Sequence, residues 1–240
     1  MLYIIGIGLD SNDVSLKALE AIKKCSRIYL ESYTSDFPYN IEELEQVLKV
    51  KLEIANRKFV EESDSWLQNA RNENIALLVS GDPLVATTHK EILLRAEKFQ
   101  VKVDLIHSVS VISAVAETGL ELYKFGKIAS IPRWRENFKP ESFFDTFLEN
   151  EKISAHTLFL VDQNLDLNEA LSYLSDIGKK KKIDISEREC LICSQLGTEK
   201  RKIKFGKMKE FQKMNFEKPY CIIFPSGLNF VEKEFIGKFR

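Results

Sequence analysis

The hydrophobic positions in the first half of the chain alternate between continuous apolar runs and helical spacings. Residues 2–7 are an apolar run that ends at a glycine turn, and apolar positions at helical spacing follow over residues 14–25. Such alternation predicts an α/β fold with a mostly parallel sheet. The five strands predicted in this half are residues 2–7, 27–30, 50–54, 75–80 and 101–106.

The second half of the chain has a different pattern. Residues 190–195 and 202–205 are strand-like, and the short segment between them contains Gly197, which predicts a hairpin and a mixed sheet. Other strands are predicted at residues 128–131, 156–161 and 220–224. We expect two α/β domains, residues 1–110 and residues 111–240, that pack closely because no low-complexity linker separates them.

Some helix starts and one turn are also predicted. Thr88 and Glu91 have the spacing of a capping box, and Pro140 suits the first turn of a helix. The basic run at residues 179–182 follows Gly178 and is interpreted as a solvated turn.

Composition and charge describe an ordinary globular protein. The 240 residues are 44% hydrophobic and 30% charged, and the formal net charge is -1. This charge implies no overall attraction to nucleic acid or to an anionic membrane. The N-terminal residues lack a basic leader, and no apolar stretch approaches the roughly 18 residues that span a membrane. We therefore expect a cytoplasmic protein.

The cysteines and histidines do not indicate a metal site. Cys190 and Cys193 have the spacing of a redox or metal pair, but they lie inside an apolar, strand-like run and no second pair is present. We interpret the four cysteines as free thiols, buried or half-buried. The three histidines, His89, His107 and His156, are far apart, and we expect each to be a hydrogen-bonding partner.

The first glycine turn leaves two interpretations open. Gly6-Ile-Gly8 after a strand could begin a dinucleotide fingerprint, but Ser11 stands where the third glycine would fall, and Glu31 is only an approximate match to the later acidic residue. The turn fits any ligand that needs close approach to the backbone, and equally a plain tight turn.

A second turn is more informative. Gly81-Asp82-Pro83 follows the apolar run at residues 75–80, at the carboxyl end of a strand, which is where open α/β sheets bind ligands. An aspartate in this position could accept hydrogen bonds from a ribose or an amino group. The alternative is an ordinary Asp-Pro turn.

Several of these segments together resemble the diphthine synthases, a group within the tetrapyrrole methylase fold. The resemblance covers nearly the whole chain in order, and its most specific part is Gly81-Asp82-Pro83 followed by Ala-Thr-Thr-His at residues 86–89. The other matching segments are residues 2–9, 29–35, 118–120, 122–127, 130–132 and 230–232.

The resemblance implies a fold of two α/β domains with S-adenosylmethionine bound in the cleft between them. Residues 1–110 would carry the Gly-Asp-Pro loop, and residues 111–240 would complete the cofactor and substrate site. It implies a homodimer that uses no metal. It also implies that the protein substrate is translation elongation factor 2, which would be methylated on the amino group of a modified histidine. No catalytic residue is identified. The implied cofactor contacts are Leu9, Asp82, Val85, Ser110, Val111, Val161, Ser194 and Tyr220.

Departures from the family pattern lie in the second half, which should shape the substrate side. Family members tend to carry a histidine at Tyr220 and another near Asn229, and aromatic residues where Arg133-Trp134-Arg135 stands; Asp162-Gln163-Asn164 also departs from the pattern. The basic residues could suit the large anionic ring of a corrin or porphyrin methyltransferase. A non-catalytic cofactor-binding module is the other alternative.

Overall fold

The computed structural model describes residues 1–240, which form two compact units, residues 1–113 and residues 114–240. The first unit contains a five-stranded sheet with strand order β3-β2-β4-β1-β5, and every neighbouring pair is parallel. The predicted parallel sheet is therefore confirmed. Its strands are β1 (Leu2–Gly6), β2 (Arg27–Glu31), β3 (Glu53–Ala55), β4 (Ile75–Val79) and β5 (Val103–Ile106).

Helices cover both faces of this sheet. Leu2 and Ile4 belong to one buried cluster with Trp66, whereas Tyr3 and Ile5 belong to a second cluster. Alternate side chains of a strand point to opposite faces, so both faces are packed, as the apolar runs require. The helices are α1 (Leu16–Ile22), α2 (Ile41–Leu48), α3 (Arg57–Glu62), α4 (Ser65–Asn69), α5 (Lys90–Lys98) and α6 (Val111–Ala114), the last of which reaches the start of the second unit.

The second unit contains a mixed sheet, as the sequence predicts. Its strand order is β6-β7-β10-β8-β9, in which only β6 and β7 are parallel. The predicted hairpin between residues 190–195 and 202–205 is the antiparallel pair β8–β9. The strands are β6 (Ala129–Ile131), β7 (Thr157–Val161), β8 (Glu189–Ser194), β9 (Lys202–Lys207) and β10 (Tyr220–Phe224).

Aromatic side chains dominate the core of the second unit. Phe143, Phe147, Phe159 and Phe224 are buried together, with neighbouring ring centroids about 5–6 Å apart. The helices that contribute to this unit are α7 (Ser142–Lys152), α8 (Leu167–Lys180), α9 (Met208–Phe211) and α10 (Phe230–Gly237), with short 3₁₀ helices at Val115–Thr118, Leu122–Lys124 and Ile185–Glu187.

Both predicted helices are present, but each begins slightly after the residue that carries the local signal. Helix α5 begins at Lys90, and the Thr88 hydroxyl donates to Glu61 at 3.0 Å, so it does not cap the helix. Helix α7 begins at Ser142, after Pro140, whose carbonyl oxygen accepts a hydrogen bond from the Trp134 indole at 3.2 Å. In both cases the residue with the local signal lies outside the helix and makes a hydrogen bond to another segment.

The basic run is exposed, as predicted, but only its second half, Lys181 and Lys182, forms a turn. Lys179 and Lys180 form the end of α8, and the Lys180 and Lys181 ammonium groups pair with Glu141 and Asp145 at 2.6 and 2.8 Å. The helix dipole favours cations such as Lys179 and Lys180 in the last turn of α8.

The interpretation of the cysteines as free thiols is confirmed. Cys190, Cys193 and Cys221 are buried and Cys25 is half-buried, and all four are unpaired. Burial raises the pKa of the Cys25 thiol to about 11, which keeps it protonated at neutral pH. No helix in the protein is both long enough and apolar enough to cross a membrane.

Candidate functional site

Five of the predicted cofactor contacts lie at one edge of the first sheet. Leu9 follows β1, Asp82 and Val85 follow β4, and Ser110 with Val111 follows β5. Strands β4, β1 and β5 are adjacent and parallel, so their carboxyl ends meet at the same edge. The fold therefore brings together three segments that are separated by about 70 and 25 residues of sequence, at the position where ligands bind in open α/β sheets.

Two glycines join the first two of these segments. Gly8 and Gly81 exchange backbone hydrogen bonds of 3.3 and 2.8 Å, and both have left-handed backbone angles, with φ of 78° and 69°. A Cβ on Gly8 would lie 2.2 Å from the Asp13 side chain, and a Cβ on Gly81 would contact Ser110 at 3.8 Å. Side chains at these positions would thus disrupt the first turn or cover the backbone beside Ser110.

The turn after β1 is held by an aspartate that the sequence patterns did not identify. The Asp13 carboxylate accepts hydrogen bonds from the amides of Leu9 and Asp10 at 2.9 and 3.0 Å. Aspartates often cap short turns in this way, and the spacing from Leu9 to Asp13 is the only sequence signal for it. The contact fixes the position of Leu9 at the sheet edge.

Asp82 links the loop after β4 to the loop after β5. Its carboxylate accepts hydrogen bonds from the Leu84 amide at 3.0 Å and the Ser108 amide at 3.3 Å, and the His107 Nδ1 donates to it at 2.7 Å. Asp82 is only 7% exposed. A carboxylate offers about four acceptor positions, so three are already occupied within this unit. Its direct structural effect is to hold two loops of the edge together.

His89 and Glu31 support the same edge from behind the Gly-Asp-Pro turn. The His89 Nδ1 lies 3.0 Å from the Pro83 carbonyl oxygen. Glu31, at the end of β2, accepts hydrogen bonds from the amides of Tyr33 and Thr34 at 2.5 and 2.7 Å. Glu31 and His89 are each 1% exposed. Glu31, the approximate match to the acidic residue of a dinucleotide fingerprint, therefore stabilises its own turn.

The other three predicted contacts lie side by side in the second sheet. Tyr220 pairs with Ser194 across β10 and β8. Cys221 pairs with Leu160 across β10 and β7, so Tyr220 is level with Val161. The three residues thus form one row at one edge of this sheet. The Tyr220 hydroxyl donates to the Leu165 carbonyl at 2.6 Å, and the Ser194 hydroxyl donates to the Glu217 carbonyl, so both hydroxyls are engaged within the unit.

The arginine-rich departure from the family pattern forms a short hairpin after β6. Arg135 and Phe138 exchange backbone hydrogen bonds of 2.9 and 3.0 Å. The Trp134 ring stacks on Tyr173 with a centroid distance of 3.9 Å, while Arg133 and Arg135 are exposed. Because Ile131 of β6 pairs with Val161 of β7, this hairpin emerges next to the row that contains Val161.

A buried ionic network joins two of the family-like segments of the second unit. Glu232, at the start of α10, is completely buried and contacts the Lys124 ammonium, while the His156 Nε2 donates to it at 2.9 Å. It also accepts from the amides of Glu121 and Asn229 at 3.1 and 2.9 Å. Every acceptor position of this carboxylate therefore has a donor.

The network fixes the charge states of its members. Burial by itself raises the pKa of Glu232, but the Lys124 ammonium, the Asn229 amide and His156 outweigh burial and hold the pKa at about 2. The His156 Nδ1 accepts from the Ser226 amide at 3.0 Å, so the proton of the neutral ring is on Nε2. Burial lowers the pKa of His156 despite the nearby carboxylate. All three histidines are hydrogen-bonding partners, as predicted.

Comparison with known proteins gives one consistent family. The family model of the tetrapyrrole (corrin/porphyrin) methylases matches residues 1–212. A diphthine methyl ester synthase of Bos taurus is 36% identical over 100% of this chain and 95% of its own length. A diphthine synthase of Methanocaldococcus jannaschii is 37% identical over 98% of this chain and 96% of its own.

A solved structure agrees with these relatives. The crystal structure of a diphthine synthase superposes with a TM-score of 0.90 at 31% identity, covering 99% of this chain and 95% of that chain. Family model, relatives and structure all span most of the chain, so the resemblance does not rest on the Gly-Asp-Pro turn alone. The chain therefore belongs to the tetrapyrrole methylase family and, within it, to the diphthine synthases.

Proposed function

We propose that this protein transfers methyl groups from S-adenosylmethionine to the amino group of the modified histidine intermediate on translation elongation factor 2, in diphthamide biosynthesis. The observation that carries the proposal is the full-length similarity to a diphthine methyl ester synthase of cattle and a diphthine synthase of an archaeon. The arrangement of the predicted contacts at two sheet edges supports it.

The residues at the edge of the first sheet fit the cofactor. Gly81 has no side chain to cover the backbone beside Ser110, which suits a ligand that lies directly against the main chain, and Gly8 lets the turn after β1 pass close to Asp13. Leu9, Val85 and Val111 would supply apolar surface, and Ser110 a hydroxyl, since its amide already donates to the Ser113 hydroxyl at 3.2 Å. When bound, S-adenosylmethionine supplies an activated methyl group attached to a positively charged sulfur.

The role proposed for the protein in the chemical step is positioning. A donor with a positive sulfur needs no metal, and the proton of the attacking amine can leave to water. Holding the amine in line with the methyl group can contribute roughly 7–11 kcal/mol to lowering the barrier. No side chain is assigned as a general base.

The site is tested by calorimetric titration of S-adenosylmethionine and of its demethylated product. We expect one saturable site per chain for wild type and weaker binding for Asp82→Ala, because the substitution releases the loops after β4 and β5 from each other. Absence of binding to either compound would contradict the assignment of a cofactor.

The acceptor atom needs its own test, because the names of the relatives differ. The cattle protein is called a methyl ester synthase and the archaeal protein a diphthine synthase. An ester contains a methyl group on a carboxylate oxygen, whereas the reaction proposed here is on nitrogen. Mass spectrometry of elongation factor 2 carrying the intermediate would count the methyl groups, and mild alkali would remove only an ester. Alkali-stable methylation is the result expected.

Two further expectations from the resemblance belong to the proposal. We propose that the protein forms a homodimer and acts in the cytoplasm together with elongation factor 2. Light scattering of the purified protein would give a mass near twice the 27.7 kDa of the chain if the first is right. Fractionation of cells that express it would test the second.

A further inference from the structure

His89 is a buried histidine to which the proposed reaction gives no role. It ends the Ala-Thr-Thr-His segment that follows the Gly-Asp-Pro turn, and its side chain is 1% exposed. Burying an imidazole disfavours its charged form and requires hydrogen-bond partners for its nitrogens. Only one of the two ring nitrogens of His89, Nδ1, has such a partner.

The Nδ1 atom contacts the Gly-Asp-Pro loop. It lies 3.0 Å from the Pro83 carbonyl oxygen, which can only accept, so Nδ1 carries the proton and donates. The Thr87 hydroxyl donates to the same oxygen at 2.5 Å. Pro83 stands between Asp82 and Val85, so these two donors hold the carbonyl in the middle of the loop that should contact the cofactor.

The Nε2 atom makes no equivalent contact. Its nearest charged neighbour is the Glu31 carboxylate at 4.0 Å, which is too long for a hydrogen bond, and the nitrogen has no other partner. Burial lowers the pKa of His89, although Glu31 opposes this, so the ring is neutral at neutral pH. The interaction of His89 with the loop therefore depends on Nδ1.

We propose that His89 is a positioning residue for the cofactor: its Nδ1–H fixes the Pro83 carbonyl and thereby the backbone from Asp82 to Val85. The ring itself does not touch the cofactor, because it lies behind the loop and is inaccessible. This inference rests on the proposed function, since it assumes that this loop binds S-adenosylmethionine.

Three substitutions separate the two nitrogens. The amide nitrogen of Asn stands near the position of Nδ1, and that of Gln stands near Nε2. We expect His89→Ala and His89→Gln to weaken binding of S-adenosylmethionine about tenfold, the order of one lost buried hydrogen bond. His89→Asn should bind within about twofold of wild type. In turnover assays the KM for S-adenosylmethionine should rise, while kcat at saturating cofactor changes little.

Thr88→Val provides the matched control. Thr88 is the neighbouring residue, but it is exposed and its hydroxyl donates to Glu61 rather than to the loop. This variant should bind S-adenosylmethionine as wild type does. Thermal unfolding of each variant shows whether it is folded at the temperature of the titration.

The outcomes separate this inference from the proposed function. If wild type does not bind S-adenosylmethionine, the proposed function fails. If wild type binds, then Ala or Gln variants of wild-type affinity would overturn the positioning role, and so would an Asn variant as weak as Ala or unable to fold. If His89→Ala alone fails to fold, the comparison of Asn with Gln decides.

Discussion

Asp82 in the first unit and Glu232 in the second are both buried carboxylates that accept hydrogen bonds from a histidine and from backbone amides. They differ in how completely they are enclosed. Glu232 is fully buried, its histidine is fully buried, and Lys124 supplies a counter-charge. The partner of Asp82 is His107, whose side chain is 64% exposed, and no lysine or arginine accompanies it.

The difference indicates different roles. Removing one member of a buried ion pair leaves an uncompensated charge, so the Glu232 network holds its segments together as one unit. The Asp82 contacts lie at a sheet edge beside solvent, where loops can adjust to a ligand. We therefore expect substitutions at Glu232 to affect stability most, and substitutions at Asp82 to affect cofactor binding most.

The largest effect on stability is expected for Glu232→Ala. The substitution leaves Lys124 without its counter-charge, and His156 and two backbone amides without their acceptor, and should lower the free energy of unfolding by about 3–5 kcal/mol. Urea unfolding would measure it. Glu234→Ala, an exposed position on the same helix, is the control and should change stability by less than about 0.5 kcal/mol. Equal effects of the two substitutions would contradict the network.

Acidification should reveal the same network. The pKa of Glu232 in the folded protein is about 2, below the ordinary 4.5, so its contribution to stability is present above pH 4.5 and is lost as the pH falls toward 2. The pKa of His156 is also lowered in the folded protein, so below pH 6.5 the unfolded chain binds this proton more readily. Acidification therefore lowers the free energy of unfolding through His156 as well. Stability measured against pH should fall on acidification, and the decline below pH 4.5 should be shallower in Glu232→Ala.

A smaller effect on stability, with a larger one on binding, is expected for Asp82→Asn. The substitution removes one charged acceptor, which should lower the free energy of unfolding by about 1.5–3 kcal/mol. It should also weaken the binding of S-adenosylmethionine at least tenfold. Calorimetry gives the affinity and urea unfolding the stability. Asp104→Asn, at a half-exposed residue with only a 3.7 Å contact to Lys17, is the control. Unchanged affinity in Asp82→Asn would show that cofactor binding does not depend on the hydrogen bonds between Asp82 and the two loops.

The smallest effect is expected for Lys181→Ala. Its ion pair with Asp145 at 2.8 Å is on the surface, where water and salt screen such pairs, so the free energy of unfolding should change least here. Urea unfolding at low and high salt would measure the difference. A loss of stability as large as that of Glu232→Ala would mean that burial does not decide how much an ion pair contributes to stability.

Much of the fold could be predicted because it depends on short-range patterns. Apolar runs such as residues 75–80 and 220–224 predict strands. The runs are continuous because the side chains on both faces of these strands are buried. Helices α2 and α3 were not predicted, and neither was α10, which begins with a capping box between Asn229 and Glu232. The spacing of Asn229 and Glu232 is itself a local signal for the start of α10.

The sequence by itself determined the two kinds of sheet and the Gly-Asp-Pro turn at a strand end, because periodicity and backbone freedom are local properties. Its resemblance to a family pointed to the chemistry. Only the tertiary structure decided the partners of the buried polar groups. Asp82 meets His107, His89 meets Pro83, and Glu232 meets Lys124 and His156. These contacts form between segments up to 108 residues apart, and burial forces each polar atom to find a donor or acceptor that no local pattern specifies.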